Sequence, residues 1–218
     1  AITPKTRMVF VANPNNPTGT MVSQEQIDRF MAKIPDSVVV IFDEAYHEFL
    51  DNPPDVIKYI REERPVVVMR TFSKIQGLAN LRIGYGLASK KLAEVLQKTR
   101  QPFNANGIAQ AGALAGLKDD AHINRTRTIT HEGRAFLEKS FADAKLEYIP
   151  SVANFVLVNV KDGDAVFNEL LKEGIIVRAM RSYGMPDWIR VSVGTSEQNA
   201  RFVESLKAIL AKRKTEAA

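Results

Sequence analysis

The sequence predicts an α/β fold: a mostly parallel, doubly wound sheet with helices on both faces over residues 1–144, then a small α+β domain over 145–218. Three observations carry this reading. The first ninety residues alternate short β-branched apolar runs with polar, helix-like stretches, which is βαβ grammar. Those runs are apolar at successive positions rather than at every second one, as in parallel strands covered on both sides. After Pro150 the pattern changes to strands flanking a single helix, a further strand and a terminal helix.

Met8–Ala12, Val38–Phe42 and Val66–Met69 are the first three strands. Ser23-Gln24-Glu25-Gln26 reads as a capping box opening a helix that runs to about Ile34 and stops at Pro35. Asp55–Glu63 supplies the next crossover helix, before Pro65. The link from Met69 to the strand Ile83–Ala88 is only about thirteen residues, too short for a full helical crossover, so that strand is expected to run antiparallel. Helices then dominate: one begins with Leu92, Val95 and Leu96, Ile108–Leu117 is rich in small residues, and Ala121–Asp143 is long and polar-faced. In the last part, Phe155–Val158 and Ile175–Val177 flank a helix over Asp164–Lys172, and Ile189–Val193 follows. Thr195-Ser196-Glu197-Gln198 caps a terminal helix whose Phe202, Val203, Leu206, Ile209 and Leu210 form one apolar stripe.

Composition narrows the function classes. The chain has 218 residues, 45% hydrophobic and 25% charged, the proportions of a globular protein with a sizeable core, and neither disordered nor fibrous. With no cysteine there is no disulfide, thiolate metal site or cysteine nucleophile, and His47, His122 and His131 are scattered. Apolar runs of about five residues fall far short of a membrane span, and no signal peptide opens the chain, so a cytoplasmic protein without membrane association is expected. The net charge is +5, but the basic residues are dispersed. Their one dense patch, Lys212–Lys214, reads as a solvated tail, and no nucleic-acid partner is expected.

Ligands of parallel sheets gather outside the carboxyl ends of the strands. Here the first strand runs into Asn13-Pro14-Asn15-Asn16-Pro17-Thr18-Gly19, the second into Asp43-Glu44-Ala45-Tyr46, and the third into Thr71-Phe72-Ser73-Lys74. An antiparallel fourth strand brings Arg82 to the same edge. Each piece alone is an ordinary turn, cap or surface pair; their coincidence on successive strand ends is what informs. A lysine can bond a carbonyl cofactor if burial or nearby cations favour its neutral form. A pyridine ring used as an electron sink needs a carboxylate at its nitrogen, its phenolate oxygen needs donors such as an amide and a phenol, and its phosphate needs hydroxyls and a guanidinium. The set fits pyridoxal phosphate, with no metal.

Asn13–Gly19 (NPNNPTG), Asp43–Tyr46 (DEAY), Ser73-Lys74 followed by Gly77-Leu78-Ala79 and Leu81–Tyr85, and Ile189–Thr195 (IRVSVGT) together resemble the fold-type I pyridoxal-phosphate-dependent aminotransferases, most closely the branch acting on histidinol phosphate. The resemblance runs over essentially the whole chain. It implies that Lys74 is the Schiff-base lysine and proton carrier, and that Asp43 pairs with the pyridinium nitrogen. It further implies that Asn13 and Tyr46 bond the phenolate oxygen, that Thr71, Ser73 and Arg82 hold the phosphate, and that Arg190 clamps the substrate α-carboxylate. Arg178 is the candidate for the phosphate of a phosphorylated substrate. A homodimer with sites near its interface is implied too, with the small residues of Ala105–Gly116 serving packing. A complete member carries a substantial portion before position 1, so the chain is expected to be part of a longer enzyme. Asn80 stands in GLANLR where the family usually has a small residue; asparagine tolerates a left-handed backbone, so the turn is expected to survive.

The activity implied is a ping-pong transamination between an amino acid and an oxo acid, with histidinol phosphate and 2-oxoglutarate as the substrate couple. Another aminotransferase, or a phosphothreonine decarboxylase of the same fold, is the alternative within the family. Outside it stand a non-catalytic remnant of the fold and a P-loop ATPase. The latter is suggested by Val38–Ala45 (VVVIFDEA), but no Gly-x-x-x-x-Gly-Lys-[Ser/Thr] occurs between Ala1 and Ala218.

Overall fold

The computed structural model describes residues 1–216, and its residues cluster into two units. The first comprises Ala1–Asn15 and Met21–Arg125, the second Asn16–Thr20 and Thr126–Ala218, of which the described part ends at 216. The first unit is built on strands β1 (Met8–Ala12), β2 (Val39–Asp43), β3 (Val66–Thr71) and β4 (Gly84–Ala88), with helices α1 (Gln24–Met31), α2 (Ile57–Arg61), α3 (Lys90–Thr99) and α4 (Gly107–Gly116). Helix α5 (Asp120–Asp143) crosses from the first unit into the second. Strands β5 (Tyr148–Ile149), β6 (Phe155–Asn159), β7 (Arg178–Ala179) and β8 (Trp188–Ser192), with helices α6 (Gly163–Lys172) and α7 (Ser196–Glu216), make up the rest of the second.

The first sheet has the order β1-β2-β3-β4, with β1, β2 and β3 parallel and β4 antiparallel, as the short link before it requires. The register puts Val40, Phe42, Val66 and Val68 on one face, where they pack with Ile27 and Met31 of α1 and Tyr59 of α2. Helix α1 presents those two residues because its start is fixed: the Ser23 side chain accepts from the Gln26 N–H, and the Gln26 side chain accepts from the Ser23 N–H. Phe42 and Val68 are fully buried, and each such side chain contributes roughly 1.5–3 kcal/mol. On the other face, Ile41 and Val67 stand beside Leu96 of α3 around one cavity, while Met8 and Phe10 of β1 are 58% and 68% exposed. The unbroken apolar run of β1 thus asks for more cover than the described residues supply.

In the second unit the order is β5-β6-β8-β7, antiparallel throughout. Val156, Val158, Ile189 and Val191 pack against Leu137 and Phe141 of α5, Val166 and Leu170 of α6, and Phe202 and Leu206 of α7. The terminal helix starts at the expected capping box: the Gln198 N–H donates to Thr195 Oγ1 and the Thr195 N–H to Gln198 Oε1.

Three readings from the sequence need correction. Ile175–Val177 is not a strand; Ile175 and Val177 are anchored on the core, and the pairing with β8 begins one residue later, at Arg178. The units divide within α5 rather than near residues 144/145, because Leu137 and Phe141 belong to the second core. The second crossover helix is one short turn, Ile57–Arg61, and not Asp55–Glu63. Of the basic tail, Lys212 and Arg213 lie on α7, while the side chain of Lys214 falls outside the described residues.

Candidate active site

At the carboxyl ends of β2 and β3 the sheet opens into a cavity of about 740 Å³. Asp43, Thr71, Ser73, Lys74 and Arg82 all line it, above a floor of Ile41, Val67 and Met69. Alternation along the strands explains the grouping. Asp43 stands opposite Met69 in the parallel register, and Thr71 lies two residues on from Met69, so all three share a face.

Local hydrogen bonds turn the chain at each strand end. Asp43 Oδ1 accepts from the Ala45 N–H at 3.1 Å, and Thr71 Oγ1 accepts from the Ser73 N–H at 3.1 Å. Both are short side-chain-to-backbone turns that end a strand and leave the next residues at its edge. After Lys74 the Gly77 N–H donates to the Lys74 carbonyl at 2.9 Å, with Gly77 at φ +72°, a left-handed conformation that glycine adopts without steric cost. Phe72 and Ile75, 3% and 1% exposed, anchor the loop on either side of the lysine. His122, at the start of α5, adds a second anchor: its Nε2 lies 2.9 Å from the Ile75 carbonyl, which can only accept, so Nε2 carries the proton.

Lys74 Nζ sits 5.2 Å from the centre of the Tyr46 ring, a cation–π contact with a residue only 5% exposed. Arg82 is the left-handed residue of its turn, at φ 50° and ψ 49°; the sequence pointed to Asn80, which instead lies in a 3-10 turn over Ala79–Leu81. A side chain held in that region carries a steric cost, and such strain clusters at functional positions. Arg82 Nη1 donates to the Ala79 carbonyl at 2.9 Å and approaches Ser73 Oγ at 3.5 Å, so guanidinium and hydroxyl share one corner of the cavity.

Asn13 is buried, and its backbone N–H donates to the Asp43 carbonyl at 3.0 Å. Its side-chain oxygen accepts from the Val22 N–H at 2.9 Å and its Nδ2 donates to the Val22 carbonyl at 3.2 Å, which leaves one Nδ2 hydrogen for a ligand. Arg190 and Arg178 lie in the second unit, directly paired across β8 and β7. The Arg190 guanidinium is 4.9 Å from the Phe155 ring centre and donates to the Asn16 side chain.

Sequence reasoning missed one charged pair at this edge. Glu44 is 4% exposed and meets Arg70 through Nε at 2.9 Å and Nη2 at 2.8 Å. Burial works against the Arg70 charge, but the Glu44 carboxylate's field and hydrogen bond outweigh it and raise its pKa. Nearby, burial pushes the Glu48 carboxyl above its ordinary value. The signal was present in DEAY and in the Arg70-Thr71 step: a charged residue follows each strand's apolar run on the covered face.

An α/β sheet whose carboxyl edge gathers an acid, a lysine and a hydroxyl–guanidinium corner around one cavity defines a cofactor-binding enzyme class of the doubly wound type. The family profile for aminotransferase class I and II matches residues 1–206, and the chain belongs to that family. A histidinol-phosphate aminotransferase of Akkermansia muciniphila is 54% identical over 210 residues, covering 96% of this chain and 58% of the relative. One from Moorella thermoacetica is 45% identical over 215 residues, covering 97% and 56%. The crystal structure of histidinol-phosphate aminotransferase from Sinorhizobium meliloti in complex with pyridoxal 5'-phosphate superposes with a TM-score of 0.85 at 29% identity, covering 94% of this chain and 57% of that one. The chain therefore spans somewhat under three fifths of the length of the curated relatives it matches. Among the described residues no helix is long and apolar enough to cross a membrane, and no cluster of three or more potential ligands could hold a metal ion.

Proposed function

We propose that this cavity holds pyridoxal phosphate and that the whole polypeptide is a transaminase for histidinol phosphate and 2-oxoglutarate. The observation that carries the reading is that Asp43, Lys74 and the Thr71–Ser73–Arg82 corner line a single cavity.

The donor set matches the cofactor part by part. Arg82 with the Thr71 and Ser73 hydroxyls suits a phosphate, Asp43 a protonated ring nitrogen, and the free Nδ2 hydrogen of Asn13 with the Tyr46 phenol a phenolate oxygen. When bound, the cofactor supplies an electron sink for charge developing at the substrate Cα. Asp43 then holds the ring-nitrogen proton in place. The Lys74 amine is anchored from both sides by Phe72 and Ile75 and moves a proton at the substrate Cα. Arg190 receives the substrate α-carboxylate, and Arg178 the phosphate of a phosphorylated substrate. Two guanidiniums directly opposite on adjacent strands repel each other, and anions relieve that repulsion.

The assembly is proposed to be a cytoplasmic homodimer; Val95, Phe103, Ile108 and Leu114 are 50%, 99%, 79% and 61% exposed, apolar side chains that a second copy would cover. The test is amino-group transfer from histidinol phosphate to 2-oxoglutarate by the full-length polypeptide, read as glutamate formed. Turnover that vanishes in Lys74→Ala supports the reading, and turnover that survives in that variant refutes it.

A further inference from the structure

Glu44 and Arg70 form a charged pair at the same sheet edge that none of the roles above uses. Arg70 alternates with Met69 and Thr71 along β3, so its guanidinium goes to Glu44 and not to Asp43. Three nitrogens of two side chains converge on one oxygen: Arg70 Nε at 2.9 Å, Arg70 Nη2 at 2.8 Å and His47 Nδ1 at 3.3 Å, all to Glu44 Oε2. The backbone is tied at the same point, where the Glu44 N–H donates to the Met69 carbonyl at 2.9 Å. Beyond the last backbone pairing of β2 with β3, this pair is a side-chain link between the two strand ends.

Stability alone does not call for such a pair. Replacing a buried ion pair with apolar residues of similar volume is often neutral or stabilising. What apolar side chains cannot supply is direction: a guanidinium on a carboxylate fixes one geometry, whereas an apolar contact accepts many. The pair also sits amid the proposed cofactor ligands. Asp43 immediately precedes Glu44 and Tyr46 follows it, while Thr71, Ser73 and Lys74 follow Arg70.

We propose that Glu44 and Arg70 are positioning residues, a largely buried clamp between the ends of β2 and β3 that sets Asp43 and Tyr46 at a fixed offset from Thr71, Ser73 and Lys74. The part of the inference that concerns cofactor rests on the reading given under Proposed function; the mechanical part does not.

The test compares the native chain with Arg70→Lys and with the double variant Glu44→Leu/Arg70→Met. The double variant removes both charges without stranding either. The lysine keeps the charge but replaces the directed fork with a point donor. Two quantities are read in each: backbone amide hydrogen exchange at residues 43–46 and 70–75, and the dissociation constant for pyridoxal phosphate with borohydride capture at Lys74. Losing one charge-assisted hydrogen bond is worth about tenfold. Both variants are expected to unfold cooperatively, to exchange about tenfold faster in those two segments but not in α1, and to bind the cofactor about tenfold more weakly. Native exchange with native binding in a folded variant overturns the clamp. Faster exchange with native binding also overturns it, because the pair is then structural only. If the double variant does not fold, Arg70→Lys decides by the same criteria. A native chain that captures no cofactor at Lys74 defeats the functional reading alone, and the exchange measurement still decides the clamp.

Discussion

Arg82 offers a prediction in which fold and ligand pull in opposite directions. It holds a left-handed conformation at φ 50° while donating to the Ala79 carbonyl, beside Ser73. A side chain with a Cβ costs roughly 1–2 kcal/mol in that region and glycine does not. Arg82→Ala and Arg82→Gly both delete the guanidinium, and only the second removes the backbone cost. The glycine variant is therefore expected to be more stable than the alanine variant by about 1 kcal/mol, or 2–4 °C in melting temperature for a chain of this size. Both should lose affinity for pyridoxal phosphate. A hydrogen bond to a charged group contributes about 1.5–3 kcal/mol, which is about 10- to 150-fold in binding. Arg82 is exposed, so solvent screening puts the expectation near tenfold. The assay is thermal unfolding of the ligand-free variants, followed by equilibrium binding of pyridoxal phosphate and of pyridoxal, which lacks the phosphate. Equal loss of affinity for both compounds would refute the phosphate role, and equal stability of the two variants would refute the strain argument.

Three further outcomes follow from the same geometry. Asp43→Asn keeps the shape of the strand end and should lower transamination roughly 100-fold with little change in unfolding; an unchanged rate removes the electron-sink argument. Asp28 accepts from Lys58 Nζ at 2.7 Å, from the Tyr59 hydroxyl and from Gln24, and the Lys58 and Tyr59 hydrogen bonds lead in holding its carboxyl down at about 2. Its contribution is present above the unfolded carboxylate pKa and is lost as pH falls from about 4 toward 2. Urea unfolding of the native chain and Asp28→Asn should therefore differ at pH 6 and converge near pH 2, and a constant difference counts against this linkage. In Gly163→Ala the new Cβ would stand 2.5 Å from the Trp188 carbonyl oxygen and 2.8 Å from that of Pro186. Overpacking of that kind costs about 1–3 kcal/mol, visible as a lower urea midpoint, and an unchanged midpoint contradicts the close approach.

How much was legible in the sequence depended on how local the cause was. The capping boxes at Ser23 and Thr195, the parallel order of β1 to β3 and the antiparallel β4 follow from short-range chemistry and loop length, and the structure has all of them. The grouping of Asp43, Thr71, Ser73, Lys74 and Arg82 was readable because strand ends in such a sheet share one edge. Features set by tertiary packing were not. Ile175 and Val177 look like a strand from their composition, but core anchoring uses them without sheet pairing. The division within α5 depends on which core takes Leu137 and Phe141. The left-handed residue is Arg82 and not Asn80, because propensity is a weaker determinant than the turn that delivers the chain into β4. Glu44 and Arg70 lie far apart in sequence, and only the pairing of β2 with β3 brings them together.

The central claim is that one amine, that of Lys74, bonds an aldehyde carried by a phosphate-bearing ring. Incubation with pyridoxal phosphate, reduction with borohydride and peptide mass mapping read this directly. The account predicts a single phosphopyridoxyl adduct on Lys74, blocked by free phosphate at high concentration. Adducts spread over surface lysines, or a folded chain with Lys74 unmodified, would contradict it.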